Sequence, residues 1–227
     1  MDPLILLDQA VAQEKVPRAM AKKVRSKMKY VQGAVHRVEE ASGLHYPPYY
    51  IEPVLPVSRG GEFGQMGIMF ARVIPTTATG SLVILVQFSA ALVAYGTKGT
   101  IEAVAAHEFT HYVDLVRRLR NTDVVNDERA TTLFEAQYAD TERTVPPKAL
   151  FTEKSLVALV NRKFKDGLVD HALTKKVGDS WIAKNLPLHT VGPEENVVRL
   201  GMGVIASTRF DPTLLAKVAE LQEKMGK

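Results

Sequence analysis

The stretch from Ile101 to Leu119, IEAVAAHEFTHYVDLVRRL, is apolar at helical spacing and carries His107, Glu108 and His111 near its middle. Residues four apart stack on one side of an α-helix, about 6 Å from each other, so His107 and His111 should project together. Two neutral imidazoles placed in this way can hold two corners of a tetrahedral zinc site. Glu108 lies one step round the helix, where a general base can sit close to the metal without binding it. We therefore predict one Zn2+ per chain, bound by His107 and His111.

Two unrelated histidines on one helix face are the alternative explanation of this motif. The motif lies in an apolar helix, where polar groups without partners are costly, and this context favours ligation of a metal. The chain contains no cysteine, so a thiolate zinc site and a disulfide framework are both excluded. Any metal must therefore be bound by histidine and carboxylate side chains.

Two known metal-site motifs do not fit this chain, and excluding them limits the choice of the third ligand. The extended motif HExxHxxGxxH needs glycine and histidine where this chain has Asp114 and Arg117, so that class of zinc site is excluded. Di-iron helical bundles need Glu-x-x-His on two helices, and Glu108 to His111 is the single occurrence here. A glutamate from the following helix remains.

The following helix is predicted to run from Asp127 to about Arg143, with Glu128 and Glu135 on one face. From His111 the first helix continues for about ten residues, or ~15 Å at the helical rise. If the chain then folds back antiparallel from Asn126, it regains the level of the metal about nine or ten residues later. This count favours Glu135 as the third ligand, with Glu128 as the alternative.

With these residues the chain resembles the gluzincin zinc metallopeptidases. The match consists of His107, Glu108 and His111, a downstream helical glutamate and the preceding strand Leu82–Phe88, over roughly residues 68 to 143. The resemblance implies a zincin-like core that hydrolyses peptide bonds of a peptide or protein substrate, with a zinc-activated water and Glu108 as general base. The strand Leu82–Phe88 is then a candidate for pairing with an extended peptide, and a buried core strand is its alternative.

Such a site also needs an acceptor for a ligand histidine and a donor to the oxyanion, and the sequence offers several candidates for each. Asp114 and Asp140 are candidate acceptors for the Nδ1–H of a ligand histidine. The family's Glu-x-x-x-Asp spacing is not kept, because Ala139 stands four residues beyond Glu135. A further donor to the developing oxyanion is expected, and its candidates are Tyr138, His171, His189 and Arg199.

The order of predicted elements indicates an α+β fold. Before the motif we predict the helix Lys15–Ser42, an edge strand within Tyr46–Val57, a loop over Arg59–Gly67, strands Met69–Ile74 and Leu82–Phe88, and a short helix Ala90–Tyr95. After Pro146 and Pro147 we predict the helix Glu153–Phe164, a strand over Asn196–Ile205 and a final helix from Asp211 to Lys224. This layout places a small zincin-like sheet on a backing helix and the HExxH helix.

The pair Pro146-Pro147 marks the best internal boundary of the chain. We predict a zincin-like metal-binding catalytic core over residues 1–145. Residues 146–227 then form a mainly helical C-terminal extension packed on that core. This extension is a candidate for controlling access to the cleft.

One face of the helix Lys15–Ser42 is basic, with no acidic residue among its cations Lys15, Arg18, Lys22, Lys23, Arg25, Lys27 and Lys29. These residues account for much of the formal net charge of +4. No aromatic residue interleaves with the lysines, so a solvated outer face is favoured over a nucleic-acid surface. Nucleic acid is therefore not expected as a partner.

Composition sets the remaining expectations. A hydrophobic content of 46% in 227 residues is enough for a sizeable core. The apolar run near the start is too short for a signal peptide, and no run approaches the ~20 apolar residues of a membrane helix. We expect a soluble cytoplasmic protein with no membrane partner. A non-catalytic zincin-like protein that binds zinc or a partner is the alternative function, and Glu108 counts against it, because a structural zinc site needs no carboxylate there.

Overall fold

The computed structural model describes residues 2–59, 66–120, 134–137, 144–165, 167–191, 197–200 and 202–225. Its helices are α1 (Ile5–Ala12), α2 (Arg18–Ser42), α3 (Ala90–Tyr95), α4 (Lys98–Arg120), α5 (Pro147–Leu150), α6 (Lys154–Lys163), α7 (His171–Val177), α8 (Met202–Ser207) and α9 (Pro212–Met225). Its strands are β1 (Tyr49–Glu52), β2 (Leu55–Arg59), β3 (Met66–Ile68), β4 (Ala71–Ala78), β5 (Ser81–Ser89), β6 (Phe134–Gln137), β7 (Leu188–Val191) and β8 (Val197–Leu200). A π-helical turn, Gly178–Ile182, follows α7. The α+β class is confirmed.

Helix α4, which carries the HExxH motif, lies at the centre of the fold. Every residue from 100 to 110 is buried. The apolar face of α2 packs against α4, as its helical periodicity predicted. Helix α4 begins earlier than predicted, because the Thr97 side chain accepts a hydrogen bond from the Thr100 amide at 3.1 Å and so caps the first turn.

The ends of α2 show which local signals set a helix boundary. Gly43 ends the helix in the left-handed region at φ 69°, a conformation that glycine adopts at little cost. At the other end Pro17 precedes the first helical residue, so α2 begins at Arg18 and not at Lys15 as predicted. No helix among the described residues combines the length and the apolar character needed to cross a membrane.

The first sheet has the order β1-β5-β4, with β5 in the centre. Strand β5 pairs in parallel with β1 and antiparallel with β4. Both of its edges are therefore occupied, so the interpretation of Leu82–Phe88 as a buried core strand is confirmed and its predicted pairing with a substrate peptide is wrong. In the described part of the chain, β4 is an outer strand of this sheet.

The helix predicted from Asp127 to about Arg143 is wrong over residues 134–137. These residues form β6, which pairs antiparallel with β8 and places Glu135 opposite Arg199. Phe, Glu, Ala and Gln alternate in polarity, and β8 contributes consecutive valines, so cross-strand pairing overrides helix propensity here. The rest of the predicted helix, with Glu128, lies outside the described residues.

The residue count that favoured Glu135 as the third ligand assumed two antiparallel helices, α4 and the helix predicted after it. The first part is confirmed as far as the structure describes it, because α4 extends to Arg120, after which the described residues resume at 134. The second part fails, because a strand rises about 3.3 Å per residue and a helix only about 1.5 Å. Glu135 therefore remains a predicted metal ligand, but the residue count no longer supports it.

Residues from both predicted parts of the chain share one hydrophobic core. Helices α6 and α9 pack on α4, and β7 pairs in parallel with β2. Trp181 is fully buried, and its indole N–H donates to the Pro187 carbonyl at 3.1 Å. The boundary at residue 146 stays a prediction, whereas the strand predicted over Asn196–Ile205 is confirmed only for Val197–Leu200, since α8 begins at Met202.

Candidate functional site

The two motif histidines meet on one face of α4, as their spacing predicted. Their ring centroids lie 4.6 Å apart with the planes at 87°, and the two Nε2 atoms are 3.1 Å apart. Two nitrogens bound to one tetrahedral zinc ion at about 2.05 Å would be about 3.3 Å apart. His107 and His111 therefore fit two corners of a zinc site. A direct hydrogen bond between the rings, with one Nε2–H as the donor, accounts for the same distance.

Phe164, just after α6, covers one side of this pair. Its ring stacks flat on the His107 ring, with centroids 3.8 Å apart and an angle of 12° between the planes. His107 is only 8% exposed. The lone pair of an imidazole nitrogen lies in the plane of the ring, so stacking on the ring face leaves the Nε2 direction open. The contact is thus compatible with metal binding, and it fixes the orientation of His107.

Glu108 is 4% exposed and lines a cavity of about 230 Å³. The other walls come from three parts of the chain, namely Ile68, Phe70 and Ala71 around the start of β4, Val104 of α4, and Phe164, Gly167, Leu168 and Thr174 of the C-terminal part. The volume is below the range of about 300–1,000 Å³ that whole small-molecule ligands fill. It suits one side chain beside the Glu108 carboxylate.

The turn between α6 and α7 brings Phe164 and Leu168 to this cavity. The two residues form an isolated antiparallel bridge, and Gly167 takes a φ of 97° that a side chain would strain. Neither Phe164 nor Leu168 was predicted as part of the site. The local signal was limited to an apolar residue at the end of a predicted helix and a following glycine, neither of which points to His107.

Tyr46 supports α4 from the side of α2. Its phenol O–H donates to the Ala105 carbonyl at 2.9 Å, and its ring stacks on Phe109 with centroids 5.4 Å apart. Burial, followed by the negative charge of Glu108, raises the pKa of Tyr46 well above its ordinary value. Tyr46 therefore stays a neutral phenol that holds the backbone of the motif helix. From the sequence, only an edge strand within Tyr46–Val57 was predicted here, with no role for Tyr46.

Asp114 does not take the role predicted for it beside the histidines. Its Oδ1 accepts from the Arg117 guanidinium at 2.7 Å, and its Oδ2 lies 2.9 Å from Arg118 Nε. The carboxylate is 1% exposed. Its contacts are therefore with two arginines of its own helix.

Two of the predicted oxyanion donors, both histidines of the C-terminal part, are not brought to the cavity. His171 opens α7 and His189 lies on β7; both are exposed, and neither lines the cavity at Glu108. Tyr138 and Asp140 lie outside the described residues. Within the part of the chain that the structure describes, no third His, Asp or Glu joins His107 and His111 in a group that could hold a metal.

Comparisons of the chain with models of known protein families, with curated proteins and with solved structures give no match. The chemistry of the site is therefore inferred from the geometry of His107, Glu108 and His111 and from the walls of the cavity. These three residues are the predicted site residues that the structure brings together on α4.

Proposed function

We propose that this protein is a zinc-dependent metallopeptidase with a zincin-like core, in which His107 and His111 hold the metal. The supporting observation is the 3.1 Å separation of their Nε2 atoms on the helix whose buried Glu108 lines a cavity. When bound, zinc supplies a Lewis acid that polarises the scissile carbonyl and lowers the pKa of a bound water to about 7. Glu135 is proposed as the third ligand, with Glu128 as the alternative.

Glu108 acts as the general base in this proposal. Its carboxylate accepts a proton from the attacking water as the new C–O bond forms, and it returns that proton to the leaving amine as the C–N bond breaks. The position of Glu108, which is 4% exposed and lies in the wall of this cavity, supports this role. A carboxylate in such surroundings is shielded from bulk water, which strengthens its interaction with the reacting groups.

Strand β4 is the proposed site for pairing with the substrate backbone. It is an outer strand of the first sheet in the described residues, and its first residue, Ala71, lines the cavity beside Glu108. An extended peptide that adds to a free strand edge forms main-chain hydrogen bonds regardless of its sequence. A peptide on β4 would thus pass the general base with one side chain facing the cavity.

A zincin-like protein that binds zinc without catalysis is the second candidate. One observation favours it, namely the close cover of His107 by the Phe164 ring. If that cover does not move, it limits the approach of a substrate from this side.

The decisive experiment combines metal analysis of the purified full chain with cleavage of a peptide library, with and without chelator. We expect about one zinc per chain and cleavage that the chelator abolishes. Glu108→Gln should retain zinc and fold but lose hydrolysis by ~10² or more, since an amide cannot accept the proton. Glu102→Gln is a matched control, because Glu102 lies on the same helix and is 7% exposed but does not line the cavity.

Three outcomes would count against the proposal. Cleavage by Glu108→Gln at the wild-type rate would remove Glu108 as the base. Zinc binding by the wild-type chain without cleavage of any peptide would favour the non-catalytic candidate. Purified protein that takes up no zinc would leave the histidine pair explained by its direct hydrogen bond.

A further inference from the structure

Four lysines from two distant parts of the chain converge around the C-terminal end of α3. We call Lys23, Lys27, Lys176 and Lys184 the lysine cluster. Lys23 and Lys27 stand four residues apart on α2 and so project together. Lys23 Nζ lies 3.9 Å from the centroid of the Tyr95 ring, and Lys27 Nζ donates to the Gly96 carbonyl at 2.9 Å.

The other two lysines reach the same place through the π-helical turn. The Tyr95 O–H donates to the Ser180 carbonyl in this turn at 3.4 Å. Lys176 precedes Ser180 by one helical turn, and Lys184 follows it by a similar distance along the chain. Tyr95 thus contacts Lys23 through its ring and, through its hydroxyl, the turn that lies between Lys176 and Lys184.

The charges of the lysine cluster repel one another. Burial, then the charges of Lys176 and Lys184, lowers the pKa of Lys23. Burial, then the charges of Lys23 and Lys176, lowers the pKa of Lys27. Among the described residues, no carboxylate forms an ion pair with any of the four. Four other lysines do have such partners, namely Lys98, Lys163, Lys217 and Lys224.

A cluster of this kind attracts anions, and two features indicate the class of anion. First, Arg18, Lys22 and Lys29 add three exposed cations on another side of α2, over about 16 Å at the helical rise, so that basic side chains occupy much of its exposed surface. This extent suits a chain of regularly spaced phosphates better than a single small anion. Second, lysine ammonium groups act as point charges that bind phosphate without demanding one geometry.

An anionic membrane fits these observations less well. Binding to a lipid surface normally combines basic residues with apolar side chains that enter the bilayer. The exposed large apolar side chains in the described part of the chain are Ile5, Val169 and Leu188, and none of them belongs to the basic face of α2 or to the lysine cluster. A partner that presents phosphates in water is therefore favoured.

We propose that the lysine cluster, together with the basic face of α2, binds the phosphodiester backbone of nucleic acid without sequence preference. The sequence alone favoured a solvated face, because no aromatic residue interleaves with the lysines of α2. Folding supplies what the sequence lacked: Tyr95 lies beneath Lys23, and Lys176 and Lys184 add their charges from the C-terminal part. This proposal is independent of the metal site.

The test measures fluorescence anisotropy of labelled single-stranded DNA, duplex DNA and RNA with the full chain over a series of salt concentrations. The test variant carries Lys23→Gln, Lys27→Gln, Lys176→Gln and Lys184→Gln. A matched control carries Lys98→Gln, Lys163→Gln, Lys217→Gln and Lys224→Gln, so both lose four charges from a formal net charge of +4. A third variant with arginine at the four cluster positions keeps the charge.

We expect the wild-type chain to bind all three nucleic acids with affinity that falls steeply with salt. The glutamine cluster variant should bind at least ~10-fold more weakly, and its slope of log affinity against log salt should be smaller by about 3, because each lost phosphate contact removes roughly 0.7–0.9 from that slope. The arginine variant and the matched control should bind like wild type. Circular dichroism checks that each variant is folded.

Each other outcome overturns the proposal. Wild-type protein that binds none of the three probes contradicts it directly. An equal loss in the cluster variant and the matched control would show attraction by net charge and no defined surface. Binding to phosphatidylserine vesicles without binding to nucleic acid would assign the surface to a membrane.

Discussion

Two successive turns of α4 contain buried polar side chains. The first carries His107, Glu108 and His111, the second carries Asp114, and the buried groups of the two turns have different kinds of partner. In the second of these turns, Asp114 is 1% exposed and pairs with Arg117 at 2.7 Å and with Arg118 at 2.9 Å. Opposite charges three and four residues apart neutralise each other within one helix. This turn is electrostatically complete without any ligand.

The first turn has the same helical spacing but different chemistry. His107 and His111 direct two ring nitrogens at each other at 3.1 Å, and Glu108 faces a cavity. Two neutral imidazoles carry no charge that needs a counter-charge, and ring nitrogens this close are joined either by an N–H···N hydrogen bond or by a cation that both bind. The difference shows that burial of polar groups on α4 does not by itself indicate a site. For this reason the metal is proposed for the first turn, where two donor atoms converge, and not for the second.

The largest expected effect separates the two turns by their metal content. His107→Ala or His111→Ala should remove most of the zinc, because two ligands cannot hold the ion as three do. Asp114→Asn should retain zinc but lower the free energy of unfolding by about 1–3 kcal/mol, since two arginines lose their counter-charge. Metal analysis and urea unfolding measure both. Equal loss of zinc in Asp114→Asn would show that the two turns act as one unit.

The next prediction concerns the third ligand, which would complete the first turn as the arginines complete the second. Glu135→Ala should weaken zinc binding by at least ~10²-fold, whereas Glu128→Ala should have little effect, as losing a direct ligand costs more than losing a supporting contact. Zinc titration against a competing chelator measures both affinities. Tight binding by Glu135→Ala with loss in Glu128→Ala would reverse the assignment.

The sequence was sufficient where structure depends on near neighbours. Helix α3 has the predicted bounds, and α6 and α9 differ from theirs by one residue at each end, since apolar spacing and caps are local signals. Asp211 accepts from the Leu214 amide at 3.1 Å and begins α9 as a cap. The pairing of His107 with His111 follows from the same local geometry. Elements and contacts that are encoded within four residues were therefore predictable.

Contacts between distant residues were not predictable from one sequence. Residues 134–137 are a strand because they pair with residues 197–200, and nothing within the earlier segment specifies that partner. Phe164 stacks on His107 only after α6 has packed on α4. Lys23 of α2 likewise contacts Tyr95 only because α2 packs on α3. Each of these features requires knowing which elements become neighbours, and local periodicity does not contain that information.

A moderate effect is expected from Phe164, which covers His107 in the first turn. Phe164→Ala should lower the free energy of unfolding by about 1–2 kcal/mol, because the ring contact with His107 and part of the cavity wall are lost. Zinc affinity should change less than ~10-fold, and KM should rise for peptides with apolar side chains. Phe164→Leu is the matched control, since it restores the wall without the stacking. A rise in kcat/KM for both variants would instead identify Phe164 as a lid.

The smallest expected effect on the free energy of unfolding comes from Glu153, which is linked to α4 through Arg37. Arg37 of α2 donates to Glu102 of α4 at 2.7 Å, and its Nε and Nη2 donate to both carboxylate oxygens of Glu153 at 3.0 and 2.5 Å. The hydrogen bonds from Arg37 and then from Ser155 lower the pKa of Glu153 from 4.5 to about 2. This network links α2, the motif helix and the start of α6.

The pH dependence of this network follows from the lowered pKa. A carboxylate whose pKa is lower in the folded state stabilises that state fully above pH 4.5, and the stabilisation is lost as the pH falls from 4.5 towards about 2. The side chain of Glu153 is 38% exposed, so solvent screening should keep its contribution below about 1 kcal/mol.

Urea unfolding of wild type and Glu153→Gln at neutral pH and near pH 3 measures this contribution. The two should differ at neutral pH and by less than half as much near pH 3, whereas the buried pair of Asp114 with Arg117 should give a larger difference for Asp114→Asn at neutral pH. A gap between wild type and Glu153→Gln that persists unchanged in acid would show that the variant acts through packing at the start of α6 and that the charge of Glu153 does not hold α6 to α2.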